Sequence, residues 1–512
     1  MSLLNKARFG LGLFLALAST PLPLAGADQF ASPILLDKAL VGQFQRSTLT
    51  TGSALGQTVL HGRLLNSTYA DLLVFQVREN NVRLMSLYRQ VEGQFEASAF
   101  IQREVPKDVI FVDMGRWQDR DVLMFFTATQ GSMFDPVTGQ SQTLLTYTSI
   151  YNTVADKELP TFDLMRDLND DGLDDFIIPG FEGYQVSTQR ADGHFSTPVL
   201  MQAPPIMEIS YNDHPWYKSR KIYHTDINGD GLSDLAFWLE QDFIVYLQRD
   251  GQFDAQGQHF ATLVDIDAEG YEGISMRMGD EDQSNVVKKA LFQLKDLDGD
   301  HYAELVTLAV KSEGVFKKKT TYAFYNGSAS ETALASFSAV PDSVIESAGI
   351  QFKMEEQDLN NDGQTDIIVS SVELGVGKIV RALLTGSIRI DLGFYQMRNG
   401  RYPPKPNVVR NIKATFSLST GDVFFPSVLM ADVSGDGIAD LLVQDGEDGL
   451  LIYPGVEGER LFSLDAVEVK VPMPAQPEML QVADLNADGK QDLIIRLETK
   501  DKPFQVLVLM TH

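Results

Sequence analysis

No cysteine occurs among the 512 residues. Disulfide staples, thiol catalysis, zinc–thiolate centres and lipid attachment through an N-terminal cysteine are therefore excluded. Positive charge is scarce as well, with 42 Lys and Arg against 70 Asp and Glu and a formal net charge of −28. A surface so acidic repels phosphate backbones, which removes nucleic acid from the candidate partners. Catalytic signatures are missing too. None of the seven histidines is spaced as His-x-x-x-His, and Gly-x-Ser-x-Gly, Walker and dinucleotide fingerprints are absent. The expectation is a protein without enzymatic activity of its own. Long apolar runs are limited to Phe9–Ala18, about half of the ~20 residues that a membrane span needs. Lys6 and Arg8 precede that run and Ala25-Gly26-Ala27 follows it, the charged, apolar and small-residue order of a secretory signal. Residues 1–27 are thus read as a signal peptide rather than an uncleaved anchor. The mature chain from Asp28 is expected to be secreted or periplasmic, not a lipoprotein, with no transmembrane segment.

What the sequence has is repetition. A nine-residue pattern (Asp, any, Asn/Asp/Ser, any, Asp, usually Gly, two of any kind, Asp or Glu) occurs six times. The copies are DLNDDGLDD from Asp167, DINGDGLSD from Asp226, DLDGDHYAE from Asp296, DLNNDGQTD from Asp358, DVSGDGIAD from Asp432 and DLNADGKQD from Asp484. A short apolar stretch follows each, FIIPG after the first and LIIRL after the last, as expected of buried strands. Asp71 and Asp121 precede similar stretches without the full pattern. Eight closing acids then run Asp71, Asp121, Asp175, Asp234, Glu304, Asp366, Asp440, Asp492, at intervals of 50 to 74 residues. That period fits one four-stranded propeller blade plus loops. The fold class is all-β, a single β-propeller of about eight four-stranded blades, or seven if a degenerate unit is only loop and strand.

Two details refine this architecture. A late Gly-x-Phe, as in Gly93–Phe95, Gly193–Phe195 and Gly251–Phe253, predicts a hairpin turn whose aromatic tucks back between sheets. The last unit, after Asp492, has room for LIIRL and FQVLVLM but for no outer strand. An N-terminal strand around Ala39–Gln45 is expected to complete it, so that one propeller spans residues 28–512 and leaves no open edge.

The acid loops have the chemistry of calcium sites. Calcium takes six to eight oxygens from carboxylates, amides, carbonyls and water at ~2.3–2.6 Å. Side-chain oxygens at positions one, three, five and nine, with a backbone carbonyl at seven, supply them. The ligand sets are Asp167, Asn169, Asp171, Leu173 and Asp175; Asp226, Asn228, Asp230, Leu232 and Asp234; and Asp296, Asp298, Asp300, Tyr302 and Glu304. The remaining three are Asp358, Asn360, Asp362, Gln364 and Asp366; Asp432, Ser434, Asp436, Ile438 and Asp440; and Asp484, Asn486, Asp488, Lys490 and Asp492. About five to six ions are expected, because the third loop has His301 where the others have Gly. An EF-hand would need Glu at position twelve and a helix after it; Ile178, Phe237, Thr307, Val369, Val443 and Ile495 stand there instead. The competing reading is plain acidic β-turns, which six copies at one spacing disfavour because unneutralised carboxylates repel.

Acid loop, following strand and late Gly-x-Phe together resemble FG-GAP/VCBS repeats, which build β-propellers like the head of integrin α chains. The resemblance covers most of the chain and weakens in the first two units. It implies a calcium-bearing propeller that acts in adhesion or surface interaction, with a protein or glycan as partner and the cell envelope or exterior as its place. Members usually have seven blades, whereas eight markers occur here. The alternative is a carbohydrate-active enzyme like the propeller polysaccharide lyases, for which His214, Lys218, Arg220 and Lys221 are the clustered candidates; a purely structural envelope module is a further one.

Outside the loops, Tyr211–Lys221 concentrates aromatics and bases. His214, Trp216 and Tyr217 are candidate ligand contacts, with the rings as stacking surfaces. The preferred reading is an inter-blade loop with Trp216 packed on a neighbouring blade. Trp117 is expected to fill space in the degenerate second loop, Glu269–Lys289 reads as a solvated surface loop, and an insertion is expected around Ser371–Pro426.

Overall fold

A computed structural model describes residues 44–511 apart from 66–67, 92, 210–214, 271–286, 313–317, 330–333, 349, 374–375, 417–422 and 499–503. The signal segment, residues 39–43 and His214 lie outside the described residues. Eight sheets of four antiparallel strands, two of them with a short fifth strand, succeed one another along the chain. The molecule is an eight-bladed β-propeller. Blade 3 shows the unit: Met165–Arg166, Asp175–Pro179, Tyr184–Ser187 and Val199–Met201 pair in order. The others occupy residues 56–104, 111–146, 223–260, 268–348, 350–424 and 428–470, and the eighth combines 480–511 with 44–52. Every closing acid opens, or is next to the opening of, the second strand of its blade, from Asp71–Val77 to Asp492–Leu497.

The eighth blade is made from both ends of the described chain. Phe44–Gly52 lies antiparallel to Phe504–Thr511, from Phe44 opposite Thr511 to Gly52 opposite Phe504. That strand begins at the end of the segment anticipated from the sequence and runs seven residues beyond it. Its own sequence, FQRSTLTTG, alternates only weakly. The all-buried run Val506–Met510 of its partner sets the register, because a one-residue slip would turn the wrong side chains inward.

Burial is organised between blades, not around an axis. Eight hydrophobic clusters each join two successive sheets. Leu73, Phe75 and Leu87 of blade 1, for example, pack on Leu123, Phe125 and Phe134 of blade 2. The hairpin aromatics are part of these layers: Phe95, Phe253 and Phe337 are buried against the preceding blade, and Tyr402 and Phe462 take the same place in blades 6 and 7.

Strand length is uneven. Blade 5 uses Val287–Lys295 and Glu304–Ser312, nine residues each, where blade 4 uses Tyr223–Thr225 and Asp234–Trp238. Of the segment Glu269–Lys289, residues 271–286 lie outside the described residues and the two ends belong to strands: Ala268–Glu269 pairs in parallel with residues at the centre of Val287–Lys295, and the Glu269 carboxylate accepts a hydrogen bond from the Tyr223 hydroxyl at 2.9 Å. Lys288 and Lys289, at the start of strand Val287–Lys295, made that end read as polar loop. Within the insertion around Ser371–Pro426, a ten-residue helix, Val376–Thr385, joins Asp366–Val372 to Ser387–Tyr395. No described helix is long and apolar enough to cross a membrane.

Candidate functional site

The six acid loops join the first and second strands of blades 3 to 8, so strand direction places all of them on one face. Each folds in one way. In the second copy the Asp226 carboxylate accepts the N–H groups of Asn228, Gly229 and Gly231 at 3.1, 2.7 and 2.7 Å. Asp230 accepts the N–H of Leu232 at 3.0 Å, and Asn228 accepts that of Asp230 at 3.0 Å. The other loops repeat these bonds through Asp167, Asp296, Asp358, Asp432 and Asp484 at position one and through Asp171, Asp300, Asp362, Asp436 and Asp488 at position five. The residue at position six takes a positive φ, 82° at Gly231 and 74° at His301. Glycine accepts that conformation freely and a histidine does not.

The position-nine acid clasps the blade. Asp234 is fully buried; one oxygen accepts the N–H of Ile227 at 3.0 Å and the other that of Gln248, at the base of the hairpin, at 2.9 Å. Asp175, Glu304, Asp366, Asp440 and Asp492 make the same pair of contacts. Burial pushes these carboxyls up, to about 7 in Asp175, Asp234 and Asp366, about 8 in Glu304 and about 6 in Asp440, against the pull of those N–H groups. The aliphatic residue at position two, Leu168, Ile227, Leu297, Leu359, Val433 or Leu485, is buried in every loop. That anchor was missed, although an aliphatic after each opening Asp was its signal.

Which side-chain oxygens come together differs between loops. Asp296, Asp298 and Glu304 place one carboxylate oxygen each within 4.8 Å of one another, the one such acidic group among the described residues. This is the loop with the atypical His301. Four others have Asn at position three, and its Nδ2 donates to the position-five carboxylate at 2.8–3.2 Å, from Asn169, Asn228, Asn360 and Asn486. An amide turned in this way offers nitrogen, not oxygen, to the loop centre. In the fifth copy Ser434 donates to Asp432 at 3.2 Å. The carbonyl-bearing residues Leu173, Leu232, Tyr302, Gln364, Ile438 and Lys490 are held through their N–H groups.

The degenerate units lose the loop and keep the clasp only in part; the closing acid of the second, Asp121, accepts the N–H of Arg63 in blade 1 at 2.8 Å instead. Asp71 accepts the N–H groups of Leu64 and Leu65 at 3.2 and 2.8 Å. In the second unit Asp113 accepts the Met114 N–H at 2.8 Å, while its Oδ2 is buried without a partner. Burial, reinforced by nearby Asp163, pushes this carboxyl up to about 8. Trp117 reaches across to the hairpin of blade 3, its indole N–H donating to the Gly193 carbonyl at 2.9 Å.

The aromatic segment after blade 3 stands apart from the loops. Trp216 is 40% exposed rather than packed into a blade, because Pro215–Lys218 pairs with Ile206–Ile209 as a separate hairpin. Tyr217 meets Phe181 edge-on at 5.1 Å. The neighbouring bases serve the scaffold: Arg220 donates to the carbonyls of Pro204 and Trp238 at 2.7 and 2.9 Å, and Lys221 to that of Phe292 at 2.7 Å.

No family model matches the chain. No curated protein matches it either. Among solved structures it is similar to the WD40 domain of Toxoplasma gondii coronin, at 10% identity over 91% of this chain and 89% of that one, with a TM-score of 0.30. It is similar to the exotype rhamnogalacturonan lyase YesX at 12% identity over 91% and 76%, with a TM-score of 0.34. The Photorhabdus luminescens Tc holotoxin pore matches at 14% identity and a TM-score of 0.29; the match covers 89% of this chain, which spans 18% of that one's length. Likeness at this level bears on neither activity nor partner.

Proposed function

We propose that the protein is an exported, calcium-stabilised propeller of the FG-GAP/VCBS kind, a scaffold whose faces hold a protein or glycan partner at the cell envelope or outside the cell. The observation that carries this reading is the set of six acid loops, on one face and in one hydrogen-bonded geometry. Their donors are oxygens, and the 4.8 Å spread of Asp296, Asp298 and Glu304 is about twice a calcium–oxygen distance of ~2.4 Å. In the Asn-bearing loops an amide turn would bring oxygen to the same place. The ion would be held by positions one, three, five, seven and nine, neutralising carboxylates that repel and tying the first strand of each blade to its second. The lyase alternative gains no support from Arg220 and Lys221, whose charged heads are spent on backbone carbonyls.

The test is metal analysis and thermal unfolding of the purified chain, in chelator and after calcium is restored. Linkage gives about 1.4 kcal/mol per site at tenfold excess over Kd, so several sites together raise the melting temperature clearly. Asp230→Ala and Asp436→Ala each remove about one bound ion. Fewer than three ions per chain, or a melting curve indifferent to chelator, would reduce the loops to acidic turns and end the calcium reading.

A further inference from the structure

Exposed apolar surface gathers on the face opposite the acid loops. There the turns between second and third strands emerge, together with the connections from one blade to the next. Two insertions project from it. The hairpin between blades 3 and 4 presents Met207, Ile209, Trp216 and Tyr217, with Ile209 69% exposed. The helix Val376–Thr385 of blade 6 presents Val380, Leu383 and Leu384, the last 82% exposed. Side chains of this size at such exposure mark contact sites when they cluster.

Among the described residues, charge at this end of blades 5 and 6 runs against the rest of the molecule. The helix carries Lys378 and Arg381 and no acid, in a chain of net charge −28. Lys311 stands opposite Lys319 across one strand pair, and Arg389 opposite Lys413 across another. Like charges in that position are unfavourable; Lys319 pairs with Glu346, Arg389 with Asp391 and Lys378 with Glu373 in exposed ion pairs, which are individually weak. The basic sector ends at blade 7, where Asp445, Glu447 and Asp448 occupy the equivalent turn. The two apolar projections sit on different blades and share only the face from which they rise. A flat surface reaches both at once, whereas a folded partner would have to bridge them.

We propose that this face docks on an anionic lipid bilayer, with the hairpin and helix entering the headgroup boundary and the bases meeting lipid phosphates. The contact does not depend on the metal reading. The experiment is co-sedimentation of the full chain, in calcium buffer, with phosphatidylglycerol–phosphatidylcholine vesicles and with phosphatidylcholine vesicles alone. Binding is expected to be stronger on the anionic vesicles and to weaken with salt. Trp216 emission should shift to the blue, since Trp238 is already buried and Trp117, bound to Gly193, lies on the loop face. Leu384→Asp and Ile209→Asp should each lower partitioning about tenfold or more, and Arg381→Gln about fivefold. Leu464→Asp, exposed on the loop face, should leave it unchanged, and circular dichroism confirms that each variant is folded. Equal binding by the apolar variants, or no preference for anionic vesicles, would overturn the proposal. So would binding lost in chelator while the chain stays folded, since that assigns the contact to the loop face. Release by a soluble acidic protein with no effect of Leu384→Asp would also overturn it, in favour of a protein partner.

Discussion

His301 offers a controlled measurement of what glycine contributes to the acid loop. Its φ of 74° places a Cβ where five sister loops have Gly, at 82° to 85°. The left-handed conformation costs an L-residue roughly 1–2 kcal/mol. Glycine loses more freedom on folding, which returns roughly 0.5–1 kcal/mol of that gain. His301→Gly should therefore stabilise the protein by about 0.5–1 kcal/mol. Its backbone N–H, donated to Asp296 at 3.1 Å, is kept, and the exposed imidazole makes no packing contribution to lose. With a urea slope of at least ~3 kcal/mol/M for a chain of this size, the midpoint rises by up to ~0.3 M. His301→Ala keeps the Cβ and should gain nothing, while His301→Asn, better suited to positive φ, should fall between. Equal midpoints for the Ala and Gly variants would show that the strain argument is wrong.

Asp113 makes stability pH-dependent. Its carboxyl is held near 8 in the folded chain, far above its ordinary value, so the folded state binds the proton more tightly. The associated stability is complete below about pH 4 and is lost by up to ~1.4 kcal/mol per unit as pH climbs toward 8. In urea titrations Asp113→Asn should make that dependence shallower by Asp113's own share, the other buried carboxyls keeping theirs, and curves parallel to wild type would contradict the assignment. Removing residues through Gly52 opens the edge of Phe504–Thr511 and should abolish cooperative unfolding; an unchanged melting temperature would show that the eighth blade stands without it.

Much of the ring could be read from the chain because its period is carried by residues the fold cannot do without. In blades 3 to 8 the closing acid holds two backbone N–H groups from different parts of a blade, as at Asp234, and an acid persists even at Asp71, where the loop around it has gone and one oxygen takes two adjacent N–H groups. The hairpin aromatic is likewise required by the gap between blades, as at Phe253. Insertions obey no period, so the helix Val376–Thr385 and the hairpin bearing Trp216 were invisible as elements. Trp216, for one, reads like a residue packed on a neighbouring blade. For the candidate metal loops, the spacing of oxygens was legible but their orientation was not. Whether Asn228 presents oxygen or nitrogen depends on competing hydrogen bonds within the loop, which no pattern of letters encodes. The acids of the third loop converge although its sequence is the least regular, because Asp at position three has no amide nitrogen to turn inward.

The pairing of Phe44–Gly52 with Phe504–Thr511 also has a timetable. A ribosome adds roughly 5–20 residues per second, so the first strand waits roughly 20–90 s for a partner made more than 450 residues later. Blades 1 to 7 can stack in order of synthesis, each burying one flank of its predecessor. The eighth can form only once Phe504–Thr511 has been made, and until then blade 1 presents a bare apolar flank. A chain stalled late in synthesis is thus an open arc with two adhesive ends, and two such arcs can exchange strands. Dilution during refolding should favour closed rings over joined ones.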